Sequence, residues 1–273
     1  MTAPKKNKVA KERLDKLLAD RGLVESRTRA QALVMAGKVK VNGERVDKAG
    51  ASVAEDCVLE IDQGRRWASR GAFKLLKALE VFRLEVASRV CVDIGASTGG
   101  FTDVLLDAGA EKVYAVDVGY GQLLSRLARD PRVVVMDRTN ARTLTLAEKV
   151  GLVVCDASFI SLRLLLPAVD SILHSEGEGV VLVKPQFEAG RERLGRGGVV
   201  RDPLVHRAVL REILAFITGE TGLRPVGLSW SPILGPEGNR EFLCHLTRDT
   251  AQLPLVGDAA VEAVVEASHR ELR

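Results

Sequence analysis

The sequence has little cysteine and arranges none of it for chemistry. Its 273 residues hold four cysteines, Cys57, Cys91, Cys155 and Cys244, far apart and without a C-x-x-C pair. Three of them stand in apolar runs, which reads as buried, reduced thiol. No apolar run approaches the ~18 residues that span a bilayer. Residues 1–11 are basic and lack the apolar segment of a signal peptide. A cytoplasmic protein with no membrane partner is expected. The four histidines, His174, His206, His245 and His269, have no partner at a spacing suited to a metal or a triad, so no metal is expected.

What is present is apolar substance and unevenly placed charge. At 46% hydrophobic residues the chain can bury one large core and a small one. Residues 1–40 carry eleven Lys or Arg against four acids, +7 in a chain whose net charge is +4, leaving −3 for the remainder. A basic part on a near-neutral body points to a polyanion. Leu14, Leu17, Leu18 and Leu23 make a helical stripe ending near Gly22. Ser26 is an N-cap for a second helix, with Ala30, Ala32, Leu33 and Met35 inward and Gly37 closing it. Val39-Lys40-Val41 then enters an Asn42-Gly43 turn, and short strands follow through Ile61. This stretch, above all Ser26 to Gly43, resembles the S4 RNA-binding domain. The resemblance implies that Arg27, Arg29, Lys38 and Lys40 face phosphates of structured RNA.

Gln63 to Trp67 reads as a linker, with Trp67 a packing anchor. A helix is expected over about 69–80, with Phe73, Leu76 and Leu79 on its apolar side and Lys74 and Lys77 off it. From residue 89 the pattern alternates strand and helix, the mark of a parallel sheet covered on both faces. Asp93-Ile94-Gly95-Ala96-Ser97-Thr98-Gly99 is a strand running into a Gly-rich turn. Asp117 stands about 20 residues on, where dinucleotide folds place the acid that binds an adenosine ribose. Ser97 occupies the middle-glycine position, which argues against a pyrophosphate and for a smaller nucleoside. Were the nucleoside ligand that of a methyltransferase, Asp137 or Asn140 would lie near its adenine, although Asn140 suits turn capping equally well. Asp156 and Lys184 each end an apolar, β-branched run, and Glu241 opens another. Two lysines and two acids at the ligand edge of such a sheet suit proton removal from a weakly acidic hydroxyl. The Gly- and Arg-rich stretch 190–198 reads as a mobile loop beside the site, either clamping RNA or simply solvated, with its charge density favouring RNA.

Taken in order, Lys74, Asp93 to Phe101, Val116 to Gln122, Asp137 to Arg142, Asp156, Lys184 to Glu188 and Gly238 to Glu241 resemble the TlyA family, historically called hemolysin A. The resemblance covers nearly the whole chain. It implies a small α+β S4 domain ahead of an α/β, Rossmann-like, FtsJ-like methyltransferase domain that uses S-adenosylmethionine (SAM). The implied reaction is 2′-O-methylation of cytidine in 16S and/or 23S ribosomal RNA, with ribosomal subunits as partners. It also implies a catalytic set of Lys74, Asp156, Lys184 and Glu241, and a donor site of Asp93, Gly95, Ser97, Gly99, Asp117, Asp137, Asn140 and Asp156. The expected layout is a basic tail over 1–10, an S4 domain over 11–62, a linker over 63–67 and a catalytic domain over 68–273, acting as a monomer. Lys184 would be the base, with Lys74 lowering its pKa by like-charge repulsion and holding the alkoxide. Asp156 would orient Lys184, and Glu241 would position Lys74 or the ribose.

Overall fold

The computed structural model describes residues 10–24, 26–61, 67–249 and 255–272. The basic tail through Val9 and the linker through Arg66 lie outside them. The chain divides into two compact units, Met1–Arg66 and Trp67–Arg273.

The first unit runs β1 (Lys11–Arg13), α1 (Leu14–Asp20), α2 (Arg27–Met35), β2 (Val39–Val41), β3 (Glu44–Val46), β4 (Ser52–Ala54) and β5 (Leu59–Ile61). β1 pairs with β4, and β2 lies between β3 and β5. The Asn-Gly turn forms as its residues require: Asn42 and Gly43 both take positive φ, 51° and 84°, and Val41 faces Glu44 across it. Ser26 caps α2 by accepting from the Arg29 N–H at 3.2 Å. The inward face of α2 differs from expectation. Ala30, Leu33 and Val34 are buried, whereas Ala32 is exposed and Met35 is 68% exposed. Positions i, i+3 and i+4 share a helix face; i+2 and i+5 do not. Leu23 lies past the end of α1 and is exposed, so Leu14, Leu17 and Leu18 carry that stripe alone.

The second unit comprises α3 (Ala72–Phe82), β6 (Val90–Ile94), α4 (Gly100–Asp107), β7 (Lys112–Val116), α5 (Ser125–Ala128), β8 (Val133–Met136), β9 (Val150–Cys155), α6 (Leu166–Ile172), β10 (Leu173–Val183), α7 (Pro185–Glu188), α8 (Pro203–Glu220), β11 (Arg224–Trp230), β12 (Phe242–Thr247) and α9 (Asp258–Glu271). The strands form one sheet in the order β11-β12-β10-β9-β6-β7-β8. It is not wholly parallel: β12 runs antiparallel to both β10 and β11. Residues 231–241 join β11 to β12 without a crossover helix, so the strand must return. Alternate residues feed two cores. Val92, Ile94, Val153, Cys155, Val181 and Val183 pack toward α6, α8 and α9. Cys91, Leu152, Val154, Val180, Leu182 and Leu243 pack toward α3 and α4, where Trp67 is also buried. All four cysteines are buried and unpaired.

On α3 the sequence reading needs correction. Ala72, Leu75 and Ala78 form the buried face, Phe73 is 48% exposed, and Lys74 is only 7% exposed. Hydrophobicity alone would turn the aromatic inward. What the helix actually turns inward is a charge.

Candidate active site

Strand periodicity explains why the four charged groups meet. Leu152 and Val154 face α3, so Asp156, two residues beyond, faces the same way. Val180 and Leu182 do likewise for Lys184, and Leu243 does so for Glu241. The antiparallel run of β12 matters here, because Phe242 pairs with Val183 and the start of β12 therefore lies beside the end of β10. From the other side, the buried face of α3 delivers Lys74.

Lys74 Nζ lies 2.9 Å from Asp156 Oδ2 and 2.6 Å from Glu241 Oε2. Lys184 Nζ lies 2.7 Å from Asp156 Oδ1, 2.9 Å from Ser158 Oγ and 3.4 Å from the Asp156 carbonyl. Glu241 is fully buried. Asp156 thus stands between the lysines with one oxygen on each, so the like-charge pair expected from sequence is a bridged one. Burial by itself would lower the Lys74 pKa, but the Asp156 and Glu241 carboxylates outweigh it and hold the ammonium above the ordinary lysine value.

Beside this cluster, chain order reverses between β6 and β9, the switch point where open α/β sheets form their crevice. A cleft of about 650 Å³ there is lined by Gly95, Ser97, Asp117, Asn140, Asp156 and Phe159, among others. A smaller one of about 250 Å³ takes in Lys74, Lys184 and Glu241 and shares Gly95, Ser97, Asp156 and Ser158 with it. Gly95 has φ 83°, and a Cβ there would sit 3.0 Å from the Asp156 carbonyl, so only glycine lets the two strand ends approach. Asp117 accepts from the Ser97 N–H at 2.8 Å and the Gly119 N–H at 2.7 Å. Asn140 lines the cleft and also caps a turn, accepting from the Arg142 N–H at 3.0 Å.

Three of the expected donor-site residues stand behind the lining. Asp93 is 1% exposed; its Oδ2 takes the Thr102 N–H and hydroxyl at 2.8 and 2.7 Å, and Oδ1 has no hydrogen-bond partner among the described residues. Burial pushes its carboxyl up to about 7. Asp137 holds the Gly121 N–H at 2.8 Å. Gly99 packs against Leu127.

Of the four basic residues singled out in the first unit, Arg27 spends its guanidinium on Asp15. Nε donates to Oδ2 at 3.1 Å, and Arg13 and Gln31 crowd the same carboxylate. Those partners, Arg13 foremost, hold the buried Asp15 well below the usual carboxylate range. Arg29 lies about 200° round the helix from Arg27 and is exposed, as is Lys40. In the 190–198 stretch Arg193 is tied to Glu212 at 2.8 Å, while Arg191 and Arg196 are exposed.

Sequence reasoning missed Ser158 and Phe159. Phe159 is 91% exposed at the cleft rim with φ 63°, and its ring lies 5.3 Å from that of Phe187. It also missed a His206–His269 contact at 3.0 Å, which a separation of 63 positions hides from any spacing rule.

Residues 67–248 match the FtsJ-like methyltransferase family model, and residues 12–56 match the S4 domain model. The chain is 49% identical to the 16S/23S rRNA (cytidine-2′-O)-methyltransferase TlyA of Mycobacterium tuberculosis, over 87% of this chain and 90% of that one. It is 46% identical, over 96% of both chains, to Bacillus subtilis YqxC, provisionally named an rRNA methyltransferase. A solved structure from Streptococcus thermophilus, provisionally named a hemolysin, superposes with a TM-score of 0.72 at 44% identity, covering 97% of this chain and 98% of that one.

Proposed function

The chain belongs to the TlyA-type branch of the FtsJ-like methyltransferases, which carries an S4 domain ahead of the catalytic unit, and on that premise we propose that it methylates the ribose 2′-oxygen of a cytidine in ribosomal RNA. SAM, when bound, supplies an electrophilic methyl carbon on a sulfonium and so needs no metal. The residues present fit that donor. Asp117 keeps a free lone pair on each carboxylate oxygen for ribose hydroxyls. Gly95 opens the floor, Asn140 stands at the far wall, and Asp156 lies between donor cleft and lysines.

A 2′-hydroxyl attacks only as its proton leaves. Lys184 is the base: in its neutral form its lone pair takes that proton, and Asp156 and Ser158 fix where Nζ sits. Lys74, kept protonated by two carboxylates, steadies the oxygen as it turns anionic. Glu241 keeps Lys74 in place from a fully buried position. The Phe159 ring face at the rim suits an unstacked base. The S4 unit supplies RNA affinity through Arg29, Lys38 and Lys40, with Arg27 in support of the fold. We read the protein as a cytoplasmic monomer; unpaired thiols suit a reducing compartment.

The observation that carries the reading is the Lys74–Asp156–Lys184 bridge beside a nucleoside-sized cleft. Mapping 2′-O-methylation on purified ribosomal subunits with the protein and SAM tests it. A methylated cytidine that appears with the wild type and not with Lys184→Ala supports the reading. No 2′-O-methylation of either subunit by the wild type would overturn it.

A further inference from the structure

Glu241 is fully buried against Lys74, yet it stands at the end of a loop, residues 231–240, rather than inside a strand. What fixes that loop is the C-terminal helix α9. Arg240 Nη2 donates to the Leu272 carbonyl at 2.7 Å, and Nε donates to the Ser268 carbonyl at 3.4 Å. Leu272 is the C-cap of α9, where carbonyls lack helical partners and the helix dipole is negative. A guanidinium is the side chain suited to that end.

A second route reaches the neighbouring residue. Asn239 is 4% exposed, and its Oδ1 accepts from the Val200 N–H at 3.1 Å. The Val200 carbonyl is 3.1 Å from His206 Nε2. A carbonyl only accepts, so Nε2 carries the hydrogen and Nδ1 of the neutral ring is the acceptor. His269 Nε2, 3.0 Å away on α9, must then be the donor. Both residues preceding Glu241 are therefore tied to one helix. That helix, Asp258–Glu271, lies wholly beyond residue 248, where the match to the FtsJ-like model ends.

We propose that Arg240 is a positioning residue and that α9, through it, is a working part of the active site, holding the Glu241 carboxylate on Lys74. This rests on the reading of Lys74 as the oxyanion-stabilising ammonium, but the geometry it invokes exists without substrate. The groups facing Lys74 are Asp156 and Glu241, with Lys184 on the other oxygen of Asp156. If the clamp is lost, Glu241 retreats and one of the two counter-charges goes with it.

The test uses full-length Arg240→Ala and Arg240→Lys. The first readout needs no RNA: the pH dependence of Lys74 acetylation by a water-soluble amine reagent, followed by mass spectrometry. In Arg240→Ala the labelling midpoint should fall by about one pH unit. In Arg240→Lys, which can restore one of the two bonds, it should fall by less. The second readout is single-turnover methyl transfer to ribosomal subunits. Arg240→Ala should lose on the order of 30-fold in rate, with SAM affinity and subunit KM within about twofold of wild type. Unchanged labelling in both variants would overturn the proposal, whatever the turnover. So would a rate loss matched by lost SAM affinity and a lower melting temperature, which would make Arg240 a fold anchor only. A wild type inactive on subunits, with the labelling shift present, would sink the RNA assignment and leave the clamp standing.

Discussion

At the scale of single residues, the proposed proton transfer and the proposed donor binding fall on different side chains and can be tested apart. Lys184→Ala removes the proposed base and should cut single-turnover methyl transfer by about 10²- to 10⁴-fold while SAM and RNA still bind. Near-normal turnover would remove Lys184 from the chemistry. Asp117→Ala should act on the other half: SAM affinity, read by calorimetry, should drop at least tenfold in a protein that melts normally, because both proposed ribose acceptors are lost. An unchanged affinity would place the donor elsewhere. Lys184, Asp156 and Glu241 were legible because each adjoins an unmistakable apolar strand. Lys74 was legible only through family resemblance. Nothing in Ala72-Phe73-Lys74-Leu75 says that the lysine turns inward and the phenylalanine outward, since the carboxylates that make its burial tolerable come from residues 82 and 167 positions away.

At the scale of elements, two features lend themselves to test. The turn before β12 holds Gly235 with ordinary negative φ, yet a Cβ there would run into the Glu241 carboxylate. Gly235→Ala is therefore unstrained in the backbone and should harm activity through Glu241 alone, lowering turnover about tenfold without loss of SAM affinity. Wild-type turnover would show that Glu241 has room to move. The second feature is Asp93, which ties β6 to the first turn of α4. Its carboxyl is raised from 3.8 to about 7, so between those values the folded chain keeps a proton that the unfolded chain has released. Its contribution to stability therefore falls as pH rises through that window, by on the order of 4 kcal/mol at most. Urea titrations should show Asp93→Asn gaining on the wild type from pH 4 to 7 and holding level above it. A gap independent of pH would mean that Asp93 is ionised throughout. The strands from Val90 to Val183 were readable from their apolar runs, β7 and β8 at both ends, but β10 begins at Leu173 rather than at the apolar run Val180–Val183, because its first residues, His174 to Glu178, are polar or glycine. The reversal of β12 was not readable, because hydrophobic periodicity carries no direction. At Ala32 and Met35 apolar character favours burial and helical phase opposes it, and phase decides the inward face of α2.

At the scale of the molecule, affinity and chemistry are assigned to separate units. A chain beginning at Trp67 should bind SAM as the full protein does but fail to methylate subunits; equal methylation by both would dismiss the first unit as the recognition element. In the full chain, Arg29→Ala with Lys40→Ala should reduce the slope of log affinity against log salt by about two, since both side chains are exposed. Adding Arg27→Ala should change stability more than slope, because that guanidinium already answers Asp15. The placement of β12 has one more consequence, in time rather than space. The strand that delivers Glu241 lies inside the sheet, between β10 and β11, and follows the sheet's other six strands in the sequence. Domains generally fold as units, N-terminal first, while synthesis proceeds. The S4 unit can therefore be complete, and able to hold RNA, long before the catalytic cluster exists. A chain still attached to the ribosome that makes it lacks β12 until the stretch through Thr247 has emerged, so on the proposed reading each new molecule gains its grip on RNA before it gains the means to modify it.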